Sequence, residues 1–313
     1  MMQVEKELAE LSPGKDTLLT IGVFDGVHLG HRYLIDRLKE QAQQQDLLSG
    51  VVTFRQHPQE VLSPQTRLPY LTTLSQKVEL LKKAGVDIVI ALTFSMEMAQ
   101  LSAGQFIGLL IKYLRMRGLV IGPDFVLGRG REGDIDTLRR LGQAMNFSVT
   151  VTAPARVNGD VISSTAIRRA LADGDIKRVV RLTGRPYRLE GKVISGTHQG
   201  TALGFPTANL EADAGQALPA EGVYAAWAFI DGQTYKAMTY IGRRPTFGSN
   251  ERTIETYIIN YSGNLYGHEL AISVVEQLRP DRRFDTIEEL KRQIGRDIKK
   301  GEAILTAEAV NKI

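Results

Sequence analysis

In the first half of the chain, short apolar runs alternate with longer stretches whose apolar residues recur every three or four positions. The runs at 18–23, 50–54, 87–94, 119–122 and 148–152 read as strands, and the stretches between them as amphipathic helices. Strand, loop and helix repeating in that order predict a parallel sheet with helices on both faces. The clearest helix opens at Ser102, with Gln105 three residues on to complete a capping box, and its pattern runs to Gly118. Two shorter helices follow at 165–173 and 175–182, with Gly174 and Gly184 as stop signals.

From Tyr187 onward the pattern changes. Strand-like segments at 222–230, 234–241, 252–261 and 268–278 come at short spacing, with turns such as Asp231-Gly232 and Ser262-Gly263-Asn264 between them. They predict an all-β module, most economically a small antiparallel barrel. A closing helix starts at Asp285 or Thr286, carries Ile287, Leu290, Ile294 and Ile298 on one stripe, and has Glu288 to complete a capping box. The expected division is an α/β domain over residues 1–182 and a β-barrel domain over 183–313. No internal repeat or low-complexity tract interrupts either.

Composition removes several chemistries. With no cysteine, the chain offers no disulfide framework, thiolate zinc finger, iron–sulfur cluster or cysteine nucleophile, so catalysis has to use oxygen, nitrogen or a borrowed metal. No apolar run approaches the ~20 residues of a membrane span, and the first residues carry no apolar signal core. A soluble, cytoplasmic protein with no membrane partner is expected. The net charge of +4 is mild, although basic residues concentrate between Arg129 and Arg188. That region suits a polyphosphate or an RNA backbone, but charges of this kind are mostly solvated helix faces, and no nucleic-acid partner is expected. The sequence leaves the oligomeric state open.

The stretch richest in chemistry is Gly22-Val23-Phe24-Asp25-Gly26-Val27-His28-Leu29-Gly30-His31, which leaves the first strand and enters the first helix. Ligands of open α/β sheets bind at the carboxyl ends of strands. Glycines let the backbone approach a ligand, and a helix N-terminus offers N–H groups and a positive dipole end to phosphate. His28 and His31 add two imidazoles for the same anion. A zinc site is the competing reading, and it needs a third ligand. Further motifs lie at later strand ends: Thr53-Phe54-Arg55-Gln56-His57-Pro58, then Gly122-Pro123-Asp124-Phe125, then Ile162-Ser163-Ser164-Thr165-Ala166-Ile167-Arg168. One hydroxyl of the last is explained as a helix cap. Hydroxyls, a dipole end and a guanidinium together suit a pyrophosphate leaving group. The string Gly128-Arg129-Gly130-Arg131-Glu132-Gly133 matches a dinucleotide fingerprint, yet Pro123-Asp124-Phe125 separates it from the preceding strand, and the match is rejected.

In the β module, a glycine loop opening at Gly191 and containing Gly196, Gly200 and Gly204 leads into Phe205-Pro206-Thr207-Ala208-Asn209-Leu210. On a strand, the two-residue period puts Thr207 and Asn209 on one face, where a hydroxyl and an amide oxygen suit a magnesium ion that already holds phosphates. A turn with a polar strand edge is the alternative. Glu255, with Thr253 and Tyr257 on its face, is either solvent-facing or a general base at the barrel mouth. The lone Trp227, on a strand, reads as core.

The string around His28 and His31 resembles the His-x-Gly-His signature of nucleotidylyltransferases, and the segment from Ser163 to Arg168 resembles their second signature. With the motifs at His57, at Asp124 and at the Gly128 loop, the N-terminal half is similar to the FMN adenylyltransferase module of bacterial bifunctional riboflavin kinase/FAD synthetases. The glycine loop through Leu210, Gly222-Val223-Tyr224, Ile241-Gly242-Arg243-Arg244-Pro245-Thr246-Phe247, Glu255 and Leu265-Tyr266-Gly267 look like the riboflavin kinase module of the same enzymes, in the same order.

The resemblance implies a Rossmann-like nucleotidylyltransferase domain and a kinase barrel, with riboflavin, FMN, FAD and ATP as substrates and products, and Mg²⁺ with ATP as co-substrate. It implies that His28, His31 and Arg168 are catalytic at the first site. Gly22, Phe24, Asp25, Gly30, Ser164 and Thr165 would bind ATP, with Asp25 bracing the loop or holding ribose, and His57, Asp124 and Phe125 would place the flavin. At the second site, Gly196, Gly200, Thr207 and Asn209 would hold Mg–ATP, and Glu255 would take the proton of the terminal ribityl hydroxyl. Thr201 stands where the family usually has a basic residue, and Tyr240 where it more often has asparagine, so any reduced activity is expected in phosphorylation. The competing functions are a nucleotidylyltransferase with another acceptor and a flavin or nucleotide sensor without turnover.

Overall fold

The structure, a computed structural model, describes residues 1–65, 68–154, 156–157, 160–196, 199–243 and 252–310. The chain divides into two compact units, Met1–Ser163 and Ser164–Ile313.

The first unit is built on five strands, β1 (Thr17–Ile21), β2 (Leu48–Phe54), β3 (Ile88–Leu92), β4 (Met116–Ile121) and β5 (Ser148–Val151). Their order is β3-β2-β1-β4-β5, with every neighbouring pair parallel. Strand order reverses between β1 and β4, which opens a crevice at their carboxyl ends. Among the described residues its helices are α1 (Gln3–Ala9), α2 (Leu29–Gln44), α3 (Pro58–Leu62), α4 (Leu74–Lys83), α5 (Met96–Ala99), α6 (Ala103–Leu114) and α7 (Ile135–Met145). The apolar runs read as strands because β1 is buried on both faces. Leu18 packs with Val51, Val120 and Ile35 on one side, while its neighbour Leu19 packs with Val52, Ile107 and Leu119 on the other. A short hairpin, β6 (Arg156–Val157) with β7 (Asp160–Val161), completes the unit.

The second unit opens with α8 (Ser164–Ala172) and α9 (Ile176–Thr183), both stopped by glycines of positive φ as expected. Then come β8 (Tyr187–Ile194), α10 (Gln199–Leu203), β9 (Thr207–Ala212), β10 (Gly222–Ile230), β11 (Gln233–Arg243), β12 (Arg252–Ile258), β13 (Glu269–Pro280) and α11 (Ile287–Val310). The strands close into a barrel in the order β10-β11-β12-β9-β8-β13. Asp231 and Gly232 both take positive φ, the geometry of a tight hairpin turn between β10 and β11. α9 packs on β13 and β8, and Lys177 of α9 pairs with Glu276 at 3.1 Å.

Four expectations are corrected. The Ser102 capping box forms, but the helix ends at Leu114, because Arg115 turns left-handed (φ 53°) and β4 starts at once. Gly118 therefore lies inside β4, where a Cβ would come within 2.7 Å of Leu18. Gly191 lies inside β8 and not in the loop: it faces the Glu211 carbonyl of β9 too closely for any side chain. The cap of α11 is Thr286, whose hydroxyl accepts from Glu289 N–H at 3.2 Å, so Glu289 and not Glu288 holds the third position. Ile287 is 59% exposed and so leaves the stripe, while Leu290, Ile294 and Ile298 are half-buried, and Ile298, Ile304 and Leu305 pack with Val223, Ala225 and Leu278. Trp227 is half-buried against the same cluster.

Candidate active sites

The segment between β1 and α2 is held in an unusual backbone path. Phe24, Gly26 and Val27 have φ of 51°, 77° and 34°. Glycine accepts this freely, and at position 26 a Cβ would also sit 2.7 Å from Leu71. For Phe24 and the β-branched Val27 the same region is strained, and strain persists only where the surroundings over-determine it. Here both side chains are buried, at 2% and 1% exposure, in the core beneath α2. Buried Asp25 accepts from the N–H groups of Leu71 and Thr72 at 2.8 and 3.3 Å, and Gly26 N–H donates to the Thr72 hydroxyl at 3.1 Å. The Thr53 hydroxyl donates to the Val23 carbonyl at 2.9 Å. These bonds brace the loop.

This path delivers His28 as the N-cap of α2, with its Nδ1 accepting from His31 N–H at 3.2 Å. An accepting Nδ1 leaves the ring proton of neutral His28 on Nε2, as a donor. The two imidazoles stack at 3.6 Å with 13° between planes, and the Phe24 ring lies 5.0 Å from His31. Gly30 lies under the His28 ring, at 3.1 Å from where its Cβ would be, and Gly22 against the Phe24 ring at 3.0 Å. Two aligned imidazoles and the N-terminus of a sixteen-residue helix together carry chemistry that suits an anion.

His57 and the Asp124-Phe125 pair follow β2 and β4, so they share the carboxyl edge of the sheet with the histidines. His57 caps α3, its Nδ1 accepting from Gln59 N–H at 3.1 Å; Asp124 is exposed and Phe125 half-buried on the core. The Gly128 loop packs against the start of α6, with Gly133 too close to Ala103 for a side chain and Glu132 accepting from Ala103 N–H at 2.9 Å. Gly128 and Gly133 serve packing, while Gly130, at φ 63°, has open space around it. Ser164 and Thr165 open α8, and Arg168 lies one turn on, at the start of the second unit. Several residues of the basic middle are neutralised locally, as Arg139 by Asp136 and Arg188 by Glu190.

One residue escaped the sequence reading. Lys77 of α4 is 6% exposed, and its Nζ donates to the carbonyls of Val23 at 3.2 Å and Phe54 at 2.6 Å, the ends of β1 and β2. Burial pulls its pKa down to about 8, with the charge of Asp25 opposing. The available signal was its place one helical turn before buried Leu81, on the face where a solvated lysine does not belong.

In the barrel, β12 alternates strictly. Ile254, Thr256 and Ile258 are buried, with the Thr256 and Thr239 hydroxyls paired at 3.1 Å, so Thr253, Glu255 and Tyr257 project from the opposite face. Tyr257 packs with the cluster under α11, which identifies that face as the outer one. Glu255 is thus on the barrel wall, midway along β12, rather than at the mouth. It pairs across the sheet with Asn209 of β9 and Tyr240 of β11, and the Thr207 hydroxyl reaches its carboxylate at 3.5 Å. The expected shared face of Thr207 and Asn209 is present. Gly196 lies so close to the Asn209 amide, and Gly200 to the Thr207 hydroxyl and the Phe205 carbonyl, that a Cβ at either would collide. Thr201 is exposed on α10. Burial first, then the charge of Asp281, which accepts from the Tyr240 hydroxyl at 3.3 Å, pushes that phenol up to about 12, with Glu221 and Glu255 adding to it. Leu265 is buried and Tyr266 exposed. Residues 244–247 of the Ile241 motif lie outside the described residues.

Among the described residues, no three His, Cys, Asp or Glu side chains gather to hold a metal. Among those residues, the zinc reading of His28 and His31 finds no third ligand. Thr207 and Asn209 offer hard oxygen donors side by side, a pair that fits magnesium completed by phosphate oxygens and water.

Fold and sites together define a chain of two nucleotide-using transferase modules. Residues 11–166 match the family model for FAD synthetase, and residues 183–305 that for riboflavin kinase. The chain belongs to the bifunctional riboflavin kinase/FMN adenylyltransferase family. It is 37% identical over 288 residues to the protein of that name from Escherichia coli (strain K12), covering 91% of this chain and 92% of that one. It is 35% identical to that from Pseudomonas fluorescens, covering 98% and 99%. A solved structure titled macrolide-efflux protein from Streptococcus pneumoniae shares the fold with a TM-score of 0.88 at 28% identity, over 96% of this chain and 97% of that one. Efflux belongs to that title; among the described residues here, no helix is long and apolar enough to cross a membrane. The chain phosphorylates riboflavin to FMN and adenylylates FMN to FAD, with ATP as co-substrate in both steps.

Proposed function

We propose that the two reactions use separate sites, and that the observation carrying the first is the strained β1–α2 loop presenting stacked His28 and His31 at a helix N-terminus. In adenylyl transfer, a phosphate oxygen of FMN attacks the α-phosphorus of ATP and pyrophosphate leaves. The protein supplies position and charge rather than a nucleophile. His28 and His31 donate to the ATP phosphates, Gly22, Phe24 and Gly30 shape the loop around them, and Ser164, Thr165 and Arg168 hold the leaving group. His57, Asp124 and Phe125, on the same sheet edge, place the flavin.

At the barrel, Glu255 takes the proton of the terminal ribityl hydroxyl, whose oxygen then attacks the γ-phosphorus of ATP as the bond to the β,γ-bridging oxygen breaks and ADP leaves. Thr207 and Asn209 hold magnesium and ATP, with Gly196 and Gly200 keeping the backbone close. When bound, magnesium neutralises charge on the phosphates. By function, the boundary lies at 182/183, supported by the family model that starts at 183. Both substrates and the absence of cysteine suit the cytoplasm.

The test is a product assay with riboflavin and ATP, with and without Mg²⁺, resolved by chromatography. FMN and then FAD should accumulate well beyond one equivalent per protein, and only with the ion. Equal turnover in a chelator overturns the magnesium assignment; product that stops at one equivalent indicates a sensor.

A further inference from the structure

The strained loop needs something to hold it, and one buried charge is placed to do so. Lys77 reaches from α4 to the last carbonyls of two adjacent strands, Val23 after β1 and Phe54 of β2. Burying an ammonium is costly unless it is bonded and its charge balanced. Asp25 provides the balance from the loop, while the strand ends present carbonyls. The same Asp25 fixes the N–H groups of Leu71 and Thr72, a few residues ahead of Lys77, and Thr72 returns a hydroxyl to Gly26. The segment from Leu71 to Lys77 thus grips the loop from both sides of Phe24, where φ is 51°, and Val27, where it is 34°. Without that grip, both residues would relax toward ordinary backbone, and His28 and His31 would lose their alignment at the head of α2.

We infer that Lys77 is a positioning residue for adenylyl transfer: with Asp25 and Thr72 it clamps the strained β1–α2 loop, so that the imidazoles of His28 and His31 are set before ATP arrives. The inference rests on the reading of those histidines as the phosphate site. Lys77 itself touches no substrate.

The experiment compares Lys77→Met, Thr72→Val and His31→Ala in the full chain, measuring FAD formation from supplied FMN and FMN formation from riboflavin. For Lys77→Met, kcat/KM for FAD formation should fall about 10²-fold, the scale of a small misplacement in a site, with KM for ATP raised and FMN formation unchanged. The ratio of parent to variant should narrow as pH rises from about 7 to about 9, since the Lys77 ammonium titrates at about 8 and the parent then loses the charge that balances Asp25. A constant ratio overturns the role of the charge. If Lys77→Met does not fold, Thr72→Val decides: a smaller loss in the same direction supports the clamp, and parental rates overturn it. Lys77→Met at parental rates while His31→Ala is impaired overturns the clamp alone. His31→Ala at parental rates overturns the phosphate site, and the clamp with it.

Discussion

His31→Ala is expected to lower FAD formation by about 10²–10³-fold, the range for removing one preorganised donor from a charge-stabilising site, and to leave FMN formation at its parental rate. The fold should survive. The bond that caps α2 runs from the backbone N–H of residue 31 to His28 Nδ1, and alanine keeps that N–H. What goes is the ring stacked 3.6 Å from His28, together with its neighbour contact to Phe24. Parallel assays with riboflavin and with FMN as acceptor check this.

Glu255→Gln should do the reverse. A primary alcohol is a poor nucleophile at neutral pH, and a placed base contributes roughly 10²–10⁴-fold. Glutamine fills the same space between Asn209 and Tyr240 and can still accept from Thr207, but it takes no proton. FMN formation should fall by that factor while FAD formation from supplied FMN is unchanged. Where phosphoryl transfer is carried mainly by positioning, the loss sits at the lower end.

Much of this was legible in the sequence because two simple periods govern it. Buried central strands leave continuous apolar runs, and a capping box such as Ser102 with Gln105 marks a helix start wherever it occurs. The placement of His28 and His31 at the head of α2 was legible for a related reason: glycines and imidazoles between a strand and a helix mark the turn from one to the other. The remainder was hidden by residues that look alike for different causes. A glycine that admits a neighbouring strand, as Gly118 and Gly191 do, reads the same as one that ends a helix or opens a loop. Arg115 ended a helix in a left-handed conformation that nothing in its side chain announces. In β12, period two separates Glu255 from Ile254, but both faces carry threonine and large apolar groups, so the sequence could not say which one faces out. Lys77 was passed over because a lysine on a helix normally faces water.

The central claim is that two self-sufficient sites act in sequence on one vitamin, and mixing the impaired variants tests it most directly. From riboflavin and Mg–ATP, His31→Ala alone should accumulate FMN, and Glu255→Gln alone should make little of either product. The two together should produce FAD, since FMN released by one barrel is substrate for the other protein's adenylyl site. If the mixture makes no more FAD than the better single variant, although each variant keeps its intact half-reaction, the account of two independent sites is contradicted.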